Sequence, residues 1–189
     1  LGFRLQLDYN HSYLKNRGIF IDTAKYFGVG YCNMGFLKNR IAIPIYSDNG
    51  TLKAYAGRSI DQLKPKYIFP RNFKKSMILY NFNRIVDLGN ITRPVFIVEG
   101  FFDVFKLHQL DFYALALMGC SVSEHQLSLL KSLNLFYIIL LDGDTAGLNA
   151  AKKLSIIFKS CNLNFNVFYL KDNLQPENLS RDFISSLMP

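Results

Sequence analysis

Along the second half of the chain, short unbroken apolar runs alternate with segments in which apolar residues recur every three or four positions. The runs lie within PVFIVEG (94–100), YALALM (113–118), FYIILLD (136–142) and FNVFYL (165–170). Between them, FFDVFKLHQL (101–110), SEHQLSLLKSL (123–133, capped by Ser123) and AGLNAAKKLSIIFKS (146–160) have helical spacing. Apolar runs of this length without alternation predict strands covered on both faces, and strands alternating with helices of about ten residues predict a parallel sheet. Such sheets bind ligands outside the carboxyl ends of their strands, where the strand order reverses.

The first half follows a different pattern. Asn10 to Tyr26 reads as helix, broken at Gly18, with Asp22 or Thr23 capping the second piece. In RIAIPIYSDNGTLKAYAGRSI the period becomes two: Ile41, Ile43 and Ile45 alternate, Asp48-Asn49-Gly50 turns, and Leu52, Ala54 and Ala56 return, which predicts a hairpin. DQLKPKYIFPRNFKKS (61–76) is irregular, basic and punctuated by Pro65 and Pro70. The boundary between the halves is expected near Gly89–Pro94, giving a basic α+β subdomain over 1–93 and an α/β domain over 94–189. No internal repeat or low-complexity segment interrupts either half.

Charge sharpens this division. Residues 1–93 hold 15 of the 22 Lys/Arg but 5 of the 14 Asp/Glu, a net +10, whereas residues 94–189 hold 7 and 9, a net −2. A polyanion is therefore expected on the first half and cations on the second. Half of the 189 residues are hydrophobic and 15% are aromatic, enough for a packed core. The longest apolar runs fall far short of the roughly 20 residues that cross a bilayer, and the amino terminus lacks the pattern of a secretion signal. No membrane partner and a cytoplasmic location are expected. Cys32, Cys120 and Cys161 are scattered and form no Cys-x-x-Cys pair, so they read as small buried hydrophobes, with no zinc site in the chain. His108 and His125 read as ordinary helix residues.

The candidate chemistry lies in the acids. Glu99 directly follows VFIV and Asp142 directly follows IILL, so both are expected at strand carboxyl ends on one edge of the sheet. Asp144 lies two residues beyond Asp142, and Asp103 lies four beyond Glu99, one helical turn on and on the same side. Carboxylates gathered this closely repel one another unless a cation intervenes, and an oxygen-only set selects a hard divalent ion, Mg²⁺ or Mn²⁺. Asp144, just before the helix, is equally suited to cap it.

VEGFFD, followed some forty residues later by LLDGDTAG, resembles the TOPRIM signature, Glu-Gly-x-x-Asp then Asp-Gly-Asp-x-Ala-Gly. That signature is shared by bacterial-type primases, type IA and II topoisomerases and related nucleases. LMGCSVSEHQLSLL is similar to the Leu-Gly-Thr-x-x-Thr-x-x-His stretch of primases. YLKNRGI, FGVGY, RIAIPIYSDNGTLKAYAGR, KPKY and FKKSMILYNF resemble, in that order, the basic subdomain preceding TOPRIM in bacterial DNA primases of the DnaG type. The resemblance covers nearly the whole chain. It implies a Rossmann-like parallel sheet with flanking helices behind a smaller basic subdomain. It also implies metal-dependent synthesis of short RNA primers from ribonucleoside triphosphates on a single-stranded DNA template, with a replicative helicase met through a region absent here. By the same match Arg40 and Arg58 line a template track, while Lys66 and Lys75 meet triphosphates or template. Read from the residues alone, these cations with Tyr55, Tyr67, Phe69 and Phe73 form an electrostatic footprint with rings available for stacking.

On this reading Glu99, Asp142 and Asp144 hold the metal, Asp103 is a further ligand or an orienting group, and Glu99 doubles as a proton-transfer group. The chain departs from the pattern in three ways. The segment Tyr31–Arg40 is short, as in a compact variant of the kind a mobile element carries. These 189 residues hold no zinc-ribbon module or helicase-binding tail, so those parts are expected either outside this catalytic core or on other chains. The late Asp-Pro-Asp is replaced by Gln175-Pro176-Glu177, in which Glu177 retains a metal-binding carboxylate and Gln175 does not. Three other activities remain open: a TOPRIM nuclease, a non-catalytic DNA-binding module, and a haloacid-dehalogenase-type phosphatase that uses the Asp-x-Asp-x-Thr of LLDGDT.

Overall fold

The computed structural model describes residues 5–61 and 64–189, and its contacts divide the chain into two units at Lys74/Lys75. This division falls ahead of the composition change at Gly89–Pro94 because the intervening residues pack with the second unit. Leu79, Phe82 and Ile85 share a core with Val95, Leu115 and Leu141. Residues 62 and 63 of the basic irregular segment lie outside the described residues.

The first unit opens with α1 (Ser12–Asn16) and α2 (Ile21–Phe27), separated around Gly18 as the sequence predicts. The expected cap does not hold. Phe20 occupies the cap position of α2 without a side-chain hydrogen bond, so the helix begins before Asp22, which falls in the first turn. There its charge still complements the exposed amide ends of the helix. An antiparallel sheet follows in the order β1 (Gly30–Cys32), β2 (Arg40–Tyr46), β3 (Leu52–Ser59) and β4 (Tyr67–Ile68). The predicted hairpin is β2–β3, with Ile43 opposite Ala56, Ile45 opposite Ala54, and a register shift at Ile45/Tyr46 before the turn. Residues 41–45 are all buried, so β2 is covered on both faces rather than one.

Arg58, on β3, is 8% exposed. Its Nε donates to the Tyr13 hydroxyl and its Nη1 donates to the Tyr67 hydroxyl at 2.7 Å, and both rings face the guanidinium. Burial pushes the Tyr67 phenol up to about 12, so it stays a neutral acceptor. Lysine cannot reproduce this fork. Arg58→Lys is therefore expected to destabilise the protein by about 2–3 kcal/mol in denaturant titration, since it weakens two hydrogen bonds to a buried charge.

The second unit begins with α3 (Phe82–Asp87) and continues as β5 (Val95–Val98), α4 (Phe101–Gln109), β6 (Tyr113–Ala116), α5 (Glu124–Leu133), β7 (Phe136–Leu141), α6 (Thr145–Ser160), β8 (Asn164–Tyr169) and α7 (Arg181–Ser186). All four strands are parallel, in the order β6-β5-β7-β8. β5, β6 and β7 are buried as the apolar runs predict, whereas β8, at the edge of the sheet, is only partly covered and alternates toward solvent. The side chains of β5 alternate between two covered faces. Val95 and Ile97 join Leu115, Tyr137, Ile139 and the α6 residues Leu154 and Phe158, while Phe96 meets Phe112 edge-on. Ser123 caps α5 by accepting from the Gln126 amide, as expected. The order reverses between β5 and β7, because the chain first builds outward to β6 and then returns to the other side of β5. Ligand-binding crevices in such sheets open at this reversal. Among the described residues no helix is long and apolar enough to cross a membrane.

Candidate active site

Glu99 and Asp142 are the first residues beyond β5 and β7, the adjacent strands at the reversal. In register Ile97 lies beside Ile139, so the two acids emerge side by side. The Asp142 amide donates to Glu99 Oε1 at 3.3 Å, and the Cys120 thiol donates to Glu99 Oε2 at 3.1 Å. Both Glu99 oxygens are thereby oriented from neighbouring strand ends. Asp144 is the amino-terminal cap of α6, its Oδ1 accepting from the Gly147 amide at 2.7 Å, so the capping role open to it in sequence is realised.

Asp103 is 6% exposed and occupies the third position of α4. Its Oδ2 accepts from the Gly100 amide at 3.0 Å, and its Oδ1 accepts from the Glu177 amide at 3.2 Å. It therefore ties the β5–α4 turn to the segment after β8. Glu177 stands in the 3₁₀ turn Pro176–Asn178, and the preceding Gln175 donates from Nε2 to Asp142 Oδ2 at 2.9 Å.

These five carboxylates influence one another. Burial first, then the charges of Asp142 and Glu177, push the Asp103 carboxyl up to about 7. Desolvation, then Glu99 and Asp144, push Asp142 up to about 6, while the Gln175 amide pulls it down. Desolvation of its sulfur, then the hydrogen bond and charge of Glu99, hold the Cys120 thiol up at about 11, which keeps it a donor. Asp142 Oδ1 is buried without a hydrogen-bond partner. An orphaned carboxylate oxygen amid other carboxylates is suited to a cation. Among the described residues, however, no three His, Cys, Asp or Glu side chains close into a ready-made metal cage.

The raised acids have a consequence for stability. Without a cation, the folded chain retains protons on Asp103 and Asp142 that the unfolded chain releases near pH 4. Stability is therefore fullest below pH 4 and falls as pH rises through about 6 and 7. In chelator, after discounting for the solvent screening of half-exposed Asp142, this contribution is expected to fall by roughly 2–4 kcal/mol between about pH 4 and pH 7. Thermal melts should show a shallower pH slope for Asp103→Asn.

The predicted basic residues occupy several settings. Arg58 is buried between two tyrosines, and half-buried Arg40 donates from Nη1 to the Pro65 carbonyl at 3.3 Å. Lys66 is exposed beside the ladder in which Tyr67 lies 6.3 Å from Phe69, and Phe69 stacks on Phe73 at 5.3 Å. Lys75 belongs to the second unit, where it lines a cavity of about 270 Å³ with Ser76, Ser121 and Ser123. Sequence reasoning missed two functional contacts, those of Cys120 and Gln175. Cys120 is exposed, contrary to the buried hydrophobe expected, because the loop after β6 lies beside the end of β5. The apolar run ending in LMGC was a usable signal for it. The phosphatase reading lacks support, because Asp142 follows the third strand of the parallel sheet and not the first.

Comparison with known proteins agrees with this architecture. Residues 32–86 match the model of the DNA primase catalytic core, N-terminal domain, and residues 96–179 match the Toprim-like model. The DNA primase of Helicobacter pylori strain J99 is 29% identical over 204 residues, covering 89% of this chain and 36% of the relative. That of Mycoplasma genitalium is 38% identical over 151 residues, covering 74% and 24%. The chain thus spans about a third or less of the length of these curated relatives. A solved DnaG primase catalytic domain bound to single-stranded DNA superposes with a TM-score of 0.82 at 21% identity, covering 95% of this chain and 70% of that one.

Proposed function

The chain belongs to the TOPRIM-containing, DnaG-like primase catalytic cores, and on that premise we propose that it joins ribonucleotides into short primers on single-stranded DNA. The observation that carries the reading is the hydrogen-bonded pairing of Glu99 with the Asp142 backbone at the sheet's point of reversal. Residues 1–93 bind template and triphosphate, with Arg40, Lys66 and Lys75 supplying positive charge and buried Arg58 fixing Tyr13 and Tyr67 beneath that surface. Residues 94–189 perform the chemistry.

Glu99, Asp142, Asp144 and Glu177 are the residues that would hold a divalent cation, Mg²⁺ or Mn²⁺, with no zinc held by these residues. When bound, such an ion neutralises triphosphate charge and lowers the pKa of the attacking 3′-hydroxyl. Because the acids among the described residues form no closed cage, water and substrate oxygens would supply the remaining ligands, as is usual for Mg²⁺. Asp103, with both oxygens engaged by backbone amides, orients the turn that presents Glu99. Glu99, at the end of a buried strand, accepts the proton of the 3′-hydroxyl as the new phosphodiester forms and pyrophosphate leaves. The reaction takes place in the cytoplasm, with a replicative helicase as a further partner.

Incorporation of labelled ribonucleotides on single-stranded DNA with Mg²⁺ or Mn²⁺ tests the proposal. Primers lost in Glu99→Gln support it. Strand nicking without incorporation would identify a TOPRIM nuclease instead.

A further inference from the structure

Gln175 differs from the acids around it in being neutral, yet it is held as firmly as they are. On one side the Leu174 carbonyl accepts from the Gly143 amide at 2.7 Å, and on the other the Glu177 amide donates to Asp103 Oδ1 at 3.2 Å. Pro176 is buried between these anchors. The segment is therefore fixed against both acid-bearing turns, and the Gln175 side chain reaches Asp142 from a set position.

Its amide makes the two oxygens of Asp142 unequal. Oδ2 accepts from Gln175 Nε2 at 2.9 Å, whereas Oδ1 is buried with no partner. The terminal torsion of an aspartate is broad, so a charge-assisted hydrogen bond to one oxygen decides where the other points. We infer that Gln175 is a positioning residue: it occupies Asp142 Oδ2 and aims Oδ1 at the cation, making Asp142 a one-oxygen ligand. This inference rests on the metal-dependent reading above. The neutral amide orients the carboxylate without adding a sixth negative charge to Glu99, Asp103, Asp142, Asp144 and Glu177. An acid at 175 would repel Asp142 or compete with it for the ion.

Mn²⁺ affinity, measured on the full chain from the paramagnetic signal of free Mn²⁺, tests this without an activity assay. Gln175→Met, of similar length but without a donor, and Gln175→Ala are both expected to weaken Mn²⁺ binding roughly tenfold to thirtyfold, the scale of an orienting contact around a metal. Their metal-free melting temperatures should stay within about 3 °C of the parent, which separates orientation from a general loss of stability. If Gln175→Ala fails to fold, Gln175→Met carries the test. Asp142→Asn is the reference. If it abolishes Mn²⁺ binding while both Gln175 variants bind within twofold of the parent, the positioning role is overturned and the metal reading stands. If Asp142→Asn itself binds Mn²⁺ normally, the metal reading and the inference built on it both fail.

Discussion

Asp142→Asn is expected to lower primer synthesis by on the order of 10³-fold and, in metal-free buffer at pH 7.5, to make the protein more stable. The opposite signs have one cause. Asp142 is raised to about 6 by desolvation and by Glu99 and Asp144, so its ionised form is under electrostatic strain in the folded state. Asparagine removes the charge while leaving an oxygen to accept from Gln175. After discounting for partial exposure, the relief is about 1–2 kcal/mol, or roughly 2–8 °C in melting temperature for a chain of this size. The same change withdraws the negative oxygen that a cation would require. Added Mg²⁺ should therefore raise the melting temperature of the parent, increasingly so as pH rises and the carboxyls ionise, and leave that of the variant almost unchanged. Incorporation within tenfold of the parent would remove Asp142 from the catalytic machinery. A fall in metal-free stability would show that its carboxylate is not strained.

The two most informative acids were legible because each ends an apolar run. VFIV-Glu99 and IILL-Asp142 place charge where a buried strand emerges, and the parallel sheet brings those ends together. What pattern did not reveal is how the side chains are shared. Asp103 lies on the expected side of α4, but the residue it meets is Glu177, 74 positions away, and Asp142 meets Gln175 across 33. Periodicity is a local signal, whereas such pairings depend on strand order and on where the segment after β8 returns. Arg58 illustrates the same limit in the first unit. Its charge suggested a surface track, yet β3 turns it toward Tyr13 and Tyr67, neither of which is a sequence neighbour. The start of α2 differs from expectation for a different reason: Asp22 suits a cap by type, but Phe20 is the extended cap residue and the helix already begins at Ile21. Resemblance supplied what periodicity could not, namely the order of the basic motifs and the meaning of the two acidic ones.

Gly147→Ala should be the most damaging single-methyl change in the second unit, although alanine is favoured over glycine by about 1 kcal/mol in a helix interior. Gly147 is buried in the first turn of α6, directly over the turn that carries Asp142. A Cβ built there would lie 2.2 Å from the Asp142 carbonyl oxygen and 2.8 Å from Glu99 Oε1. The first atom is backbone, anchored by the end of β7, and cannot rotate away. Relief must therefore come from lifting the start of α6, which breaks the 2.7 Å bond from the Gly147 amide to Asp144 and moves Glu99 from the Asp142 amide. Overpacking of this severity is expected to cost about 3 kcal/mol net of the gain in helix propensity. Ala146→Gly provides the control, since Ala146 is exposed and one residue earlier in the same helix, and it should lose no more than about 1 kcal/mol. Where Gly147→Ala still folds at low temperature, incorporation should fall at least tenfold below that of Ala146→Gly, because the acid pair is displaced rather than the fold merely weakened. A Gly147→Ala protein as stable and as active as the parent would mean that α6 does not press on the acidic turn, and the close placement of Glu99, Asp142 and Asp144 would have to be abandoned.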